Sequence, residues 1–232
     1  MRQLLILLIV CIPVLSMGQN PIFLSTKPTG VGMTDDAGRN VSLKSGINVE
    51  GTPFYTEKYC MANLQIREGK YYSGVKIKLN LQDNAVFYVD TDGKELESIS
   101  PIEKIEFVGC TEPSKNATFV SGLPAIDKQD ASSFYMQLAS GNVSLLKYIL
   151  VGYRDMTKFG KPDITRVYEQ KDIYYSYTPG KGMTKLRRDN KDVLQALKNK
   201  KTELTEFIAA NNINCQKEED MMKVFAYYNS LK

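Results

Sequence analysis

Lys76-Ile77-Lys78-Leu79-Asn80-Leu81 alternates a polar with an aliphatic side chain without a break. A period of two fits a strand with one wet and one buried face, whereas a helix repeats its apolar residues every three or four positions. The pattern spreads outward from there. Residues 85–89 form the next β-like run, and Asp92-Gly93 is hairpin-turn chemistry leading into residues 94–97. Residues 103–108 and 134–138 read as further strands. Gly141-Asn142 turns the chain into residues 143–151, the longest apolar run and the candidate central strand. Residues 164–177 and 183–186 complete a series of about ten strands joined by short turns. Such spacing predicts an antiparallel, up-and-down sheet that curls or closes like a barrel.

The period changes at the C-terminus. Asn190 is placed to cap a helix from Lys191, with Val193, Leu194, Leu197, Leu204, Phe207 and Ile208 as an apolar stripe interrupted at residues 198–201. Asn211-Asn212 ends it. Asn214 is placed to cap a second helix, whose first turn carries Glu218, Glu219 and Asp220 against the positive end of the helix dipole. Met221, Met222, Phe225 and Tyr228 mark its buried side. The fold class is α+β, mainly β: an antiparallel β domain over 41–188 and a helical hairpin over 189–232 packed on the sheet.

The N-terminus reads as an export signal. Arg2 supplies the positive n-region, residues 4–15 are apolar apart from Cys11 and Pro13, and Ser16-Met17-Gly18 offers a cleavage site that leaves Gln19 first. The apolar run is too short to span a bilayer core of about 30 Å. Lipidation at Cys11 fails because bulky Val10 stands where a small residue is needed. Residues 1–18 are therefore expected to be cleaved, and residues 19–40, with Pro21, Pro28, Gly30, Gly32 and Asp35-Asp36, to form an extended lead-in.

Composition narrows the chemistry. The 232 residues include no histidine, which removes the commonest general base and metal ligand. Tyr is abundant at 14 while Trp is absent, so aromatic bulk arrives with hydroxyls that need partners. A net charge of +4 is too mild to demand a polyanionic partner. After cleavage Cys60, Cys110 and Cys215 remain. An export compartment permits a Cys60–Cys110 disulfide; three unbridged, buried thiols are the competing reading. The wide spacing of these cysteines, without histidine, does not suit zinc.

Gly51-Thr52-Pro53-Phe54-Tyr55, Gly69-Lys70-Tyr71-Tyr72 and residues 75–81 resemble a pattern in uncharacterised exported proteins of Bacteroidetes-type bacteria. The ending over residues 204–228, with its Glu-Glu-Asp and Tyr-Tyr-Asn, is similar too. A signal cut before Gln suits such bacteria. The resemblance implies a periplasmic, envelope-associated or secreted location, and it carries no activity and no site residue.

Several constellations bear on function. Ser144-Leu145-Leu146-Lys147 has the spacing of Ser/Lys acyl-transfer enzymes, but on a strand positions three apart face opposite ways. Asp90-Thr91-Asp92-Gly93 could feed oxygens to Ca²⁺, yet an EF-hand register puts Pro101 at position twelve, so a hairpin turn explains it better. Gly180-Lys181-Gly182-Met183-Thr184-Lys185 has the wrong order for a phosphate loop. No catalytic, cofactor or metal residue is assigned, and no cofactor is expected. Lys181, Lys185, Arg187, Arg188, Lys198, Lys200 and Lys201 are candidates for one basic patch facing anionic lipid headgroups or another polyanion, with a solvated helix face as the alternative. Nucleic acid is not an expected partner, because no recognition module is present. The pairs Tyr71-Tyr72, Tyr174-Tyr175 (with Tyr177) and Tyr227-Tyr228 are expected to give one core ring and one exposed ring each.

Three functional readings follow. The first is a non-catalytic envelope protein that binds an apolar or amphipathic small molecule, or another envelope protein, through its curled sheet. The second is a histidine-free, glycan-directed hydrolase built on a carboxylate pair about 5 to 9 Å apart. The third is a structural subunit. An apolar, tyrosine-lined recess favours the first, a cleft with paired carboxylates the second, and a filled sheet the third.

Overall fold

A computed structural model describes residues 33–34, 40–41, 47–67, 69–157 and 163–231. The expected leader lies outside the described residues, as does most of the lead-in. The chain divides into two units, Met1–Lys44 and Ser45–Lys232. In the first, β1 (Met33–Thr34) pairs antiparallel with β2 (Asn40–Val41).

The second unit holds an eleven-stranded sheet. Its strands are β3 (Ile47–Glu50), β4 (Cys60–Ile66), β5 (Tyr71–Asn80), β6 (Ala85–Val89), β7 (Glu95–Glu97), β8 (Ile102–Gly109), β9 (Thr118–Val120), β10 (Tyr135–Ala139), β11 (Ser144–Thr157), β12 (Ile164–Thr178) and β13 (Gly182–Leu186). The spatial order is β13-β12-β11-β10-β9-β8-β4-β5-β6-β7, with β3 parallel to the first residues of β12. The simple up-and-down order expected from the sequence needs correction at two places. The β4–β7 and β8–β13 runs are each sequential, but they join through a β4–β8 pairing, and β3 adds a parallel edge.

That junction forces curvature. Between β7 and β8 stand only residues 98–101. Five Cα steps span at most about 18 Å even when fully extended. Crossing β6, β5 and β4 to the far side of β4 in a flat sheet would take about 19 Å sideways alone. The β8-β4-β5-β6-β7 segment therefore bends round until its two ends approach. Ser98 N–H donating to the Val86 carbonyl at 2.8 Å ties the return segment to β6.

The pleat places the core. On β5, Ile77 and Leu79 are fully buried while Lys78 is half-exposed, its ammonium 4.1 Å from the centre of the Phe54 ring. Inside the curl, Ala62, Ile77, Leu79, Ile105, Phe107 and Phe119 form one cluster that Ile149 and Val151 of β11 complete. Tyr55, Phe107 and Phe119 pack ring to ring there, with centroids 4.7 to 5.9 Å apart. Cys60 and Cys110 are joined by a disulfide with their Cα atoms 4.6 Å apart, at the junction where β4 begins and β8 has ended. Cys215 is free and buried.

Beyond the curl, around Leu145–Leu146 and Tyr174–Tyr175, the sheet is covered on both faces. Helices α1 (Asn190–Ala196), α2 (Lys201–Ala210) and α3 (Glu218–Ser230) bury Leu145, Tyr174 and Leu186 under Val193, Leu197, Leu204, Met221 and Phe225. On the opposite face Tyr135, Leu146, Tyr148 and Tyr175 pack under Leu123 and Ile126 of the β9–β10 connection. The first expected helix is two: the basic interruption in its apolar stripe forms a 3-10 turn, Lys198–Lys200, between α1 and α2. Asp189 rather than Asn190 caps α1, accepting from Asp192 N–H at 2.7 Å. Asn190 instead bridges to the α2–α3 link, donating to the Ile213 carbonyl and accepting from Cys215 N–H. Asn214 forms a turn with Gln216 ahead of α3, which starts only at Glu218.

The C-terminal helix is clamped to the β10–β11 turn by one side chain. Asn229 Oδ1 accepts from Val143 N–H at 3.0 Å, and its Nδ2 donates to the carbonyls of Val143 (2.9 Å) and Ser140 (3.3 Å). Gly141 makes room for it: a Cβ there would stand 2.5 Å from Asn229 Cγ, and its φ of +150° suits glycine.

Candidate functional site

The aliphatic residues that alternate along β4, β5, β6 and β8 do not close over one another at the end of the curl nearest residues 98–101. They line a groove of about 270 Å³ formed by Leu64, Ile66, Tyr72, Val75, Val86, Tyr88 and Ile102, with Ile99 at its mouth. Leu64, Ile66, Val86 and Ile102 belong to the buried cluster inside the curl, so the groove borders that core. Tyr72 stands at the rim, 47% exposed.

Across the 98–101 segment lies a second recess of about 430 Å³ with different walls. It shares Val86, Glu97, Ser98, Ile99, Ser100 and Ile102 with the groove, and adds Arg67, Asp83, Asn84, Ser121 and Ser132. Its polar groups are fixed locally. Asp83 accepts from Asn80 Nδ2 at 2.8 Å, and Asn84 accepts from Phe134 N–H at 3.1 Å. The Arg67 guanidinium stands 3.8 Å from Glu103, while the Arg67 backbone N–H donates to the Pro101 carbonyl at 2.9 Å. The 98–101 segment is thus a strap bonded at both ends, and Ile99 on it is 98% exposed, the most exposed large apolar residue described. An apolar groove beside a hydrogen-bonding recess can hold a molecule with two unlike ends.

No family model, curated protein or solved structure matches the chain.

The residues singled out by the sequence are scattered rather than gathered. Ser144 and Lys147 face opposite sides of β11: Ser144 lies on the tyrosine-bearing face, and Lys147 pairs with Glu218 of α3 at 2.7 Å. Tyr174 also donates to Glu218 at 2.7 Å, so the S-x-x-K lysine is a structural anchor. Asp90 Oδ1 accepts from the N–H groups of Asp92 and Lys94, closing the Asp92-Gly93 hairpin, with Gly93 at a φ of +80°. Among the described residues no acidic or thiol cluster is arranged to hold a metal.

The basic set does not form one face. Lys185 and Leu186 are neighbours on β13 and point to opposite sides of the sheet. Leu186 buries beneath the helices, whereas Lys185 reaches Asp127 at 2.7 Å on the tyrosine-bearing face. Arg188 donates to the Gln216 carbonyl and lies over the Tyr174 ring, and Lys200 stands 3.8 Å from Glu203. Lys181, Arg187, Lys198 and Lys201 are exposed, spread from the β12–β13 turn to the start of α2. The pleat divides what the linear sequence groups.

The tyrosine pairs also depart from expectation. Tyr174 and Tyr175 are both buried, because both faces of β12 are covered there. Tyr71 and Tyr72 are both exposed, at the end of β5 beyond either covering layer. Tyr227 and Tyr228 lie on a helix and both pack against its core. Of all these, only Tyr72 lines the groove.

Five carboxylates among the described residues are displaced downward in pKa by neighbouring donors. Lys104 foremost lowers the pKa of Glu106, the Lys185 ammonium and then the Tyr175 hydroxyl lower that of Asp127, and the Arg166 guanidinium lowers that of Asp155. Asp130 is lowered by Ser132, and Asp220 by Lys223. A glycosidic general acid requires the opposite displacement.

The groove and its strap were missed by sequence reasoning, because a recess is made by strands far apart in the chain. One signal was present: Ile99 sits between Ser98 and Ser100-Pro101, a bare aliphatic residue where turn chemistry predicts polarity.

Proposed function

We propose that this chain is a non-catalytic, exported binding protein of the cell envelope, or secreted from it, that takes an apolar or amphipathic ligand in the open end of its curled sheet. The observation that carries the reading is the apolar groove among Leu64, Ile66, Tyr72, Val75, Val86 and Tyr88. Interior positions of a strongly curved sheet are normally filled by side chains, and a recess there is the usual place for a small ligand. Export is supported by the leader-like N-terminus and by the resemblance to exported proteins. None of the described helices is long and apolar enough to cross a membrane. The hydrolase reading gains nothing from the displaced carboxylates, each held ionised by a donor.

Titration with the neutral fluorescent dye N-phenylnaphthylamine tests the proposal. Saturable enhancement is expected for the intact chain, lost in Tyr72→Asp and retained in Tyr71→Asp, whose side chain is exposed outside the groove. Equal loss in both variants, or no saturable signal, overturns it. Native mass spectrometry of protein purified without detergent then identifies the natural cargo as a mass that disappears on denaturation.

A further inference from the structure

We propose that the occupant is a single-chain amphiphile whose head is uncharged and rich in hydroxyl groups, with its tail in the groove and its head in the polar recess across the strap. This rests on the binding reading above and adds the chemistry of the ligand. The two recesses adjoin along the strap, with Val86, Glu97, Ile99 and Ile102 lining both, which sets a site for a tail beside a site for a head.

The charge of the polar recess selects the head. Asp83 and Glu97 line it against Arg67 alone, and Arg67 already faces Glu103. A carboxylate or phosphate head would meet more negative than positive charge at short range. The remaining polar wall is acceptor-rich: carboxylates, which only accept, beside the hydroxyls of Ser98, Ser100 and Ser132. A hydroxyl-bearing head donates to the carboxylates and exchanges bonds with the serines. A quaternary ammonium would satisfy the charge while donating nothing.

Ile99 completes the assignment. It stands at the mouth of both recesses, nearly free of contacts, on a strap bonded at each end. A tail lying in the groove would bring apolar surface within reach of this side chain.

Isothermal titration of the intact chain with decyl glucoside, decanoate and decyltrimethylammonium, all below their micelle concentrations, tests the inference. Decyl glucoside is expected to bind about tenfold more tightly than either ion, because each leaves polar groups unmatched. Ile99→Ala, at an exposed position that leaves folding intact, is expected to weaken all three by about threefold to tenfold through lost apolar contact. Glu97→Gln is expected to narrow the gap between glucoside and decanoate. Equal affinity for the three probes overturns the head assignment while leaving the groove reading standing. Tightest binding of decyltrimethylammonium means that charge alone is read, and also overturns it. Failure of all three together with the dye removes the binding reading itself.

Discussion

The Asn229 clamp makes a two-residue prediction that can be followed quantitatively. Truncation in Asn229→Ala strands the Val143 N–H, which is buried, and removes two donations to carbonyls of the β10–β11 turn. An orphaned buried N–H costs about 1–3 kcal/mol, and each further bond contributes about 0.5–1.5 kcal/mol net, so a loss of about 3 kcal/mol is expected. For a unit the size of Ser45–Lys232 that is a fall in Tm of about 6–12 °C. Gly141→Ala reaches the same clamp from the other side. Its new Cβ would lie 2.5 to 2.8 Å from three atoms of Asn229, so the amide must leave, and the φ of +150° adds strain. If Gly141→Ala acts by evicting Asn229, the double variant should be scarcely worse than the singles. Urea unfolding followed by circular dichroism should then show a coupling of about 2 kcal/mol or more at an unchanged m-value. Additive losses, or an Asn229→Ala variant within about 0.5 kcal/mol of the parent, would refute the reasoning.

Other expectations follow from the same structure. The Cys60–Cys110 bond closes a loop with a sequence separation of 50, so the Cys60→Ala/Cys110→Ala chain should lose about 4 kcal/mol, read as a lower urea midpoint; an unmoved midpoint argues against the bond. Tyr135→Phe removes a buried hydroxyl that has no hydrogen-bonding partner among the described residues, while keeping the ring between Tyr148 and Tyr175, and should gain about 1 kcal/mol; a comparable loss in thermal unfolding would show that the hydroxyl has a partner in solution. Burial pushes the Tyr55 and Tyr135 phenols up to about 12 and raises Tyr174 and Tyr175 as well. The folded state therefore keeps protons that the unfolded chain releases above about pH 10, and stability should fall by about 1.4 kcal/mol per pH unit for each such tyrosine between about pH 10 and 12. Tyrosinate absorbance from these rings should appear together with unfolding; ionisation of all tyrosines in a folded chain would contradict their burial.

Much of the sheet was legible because its strands announce themselves locally. Residues 76–81 alternate, Ala85–Val89 is a strand from end to end, and Asp92-Gly93 and Gly141-Asn142 turn the chain at the expected places. Strand order was not legible, since nothing in β4 or β8 says that Leu64 will face Ile105. Burial misled wherever covering was decided elsewhere: Tyr174 and Tyr175 look like an in–out pair until helices arrive on one face and the β9–β10 connection on the other. Helix starts were displaced by competition among polar side chains, as at Asn190, whose amide serves Ile213 and Cys215 while Asp189 takes the cap. The groove depends on all of these at once. Its aliphatic residues were recognisable as core, but not as core bordering a groove.

The β4–β8 seam also has a bearing on how the chain assembles. Apart from that seam and the parallel β3 edge, each strand of the described sheet pairs with its neighbour in sequence, so most of the sheet can zip from turn to turn. Pairings distant in the chain are slow to form, because a long segment must first surrender its freedom. Cys60 and Cys110 flank this one distant antiparallel pairing. With thiols reduced, the two local meanders are expected to form before they meet. With the bond made, the seam is brought together at the outset and the meanders grow from it. The redox state of the compartment that receives the chain thus sets whether its hardest contact comes first or last.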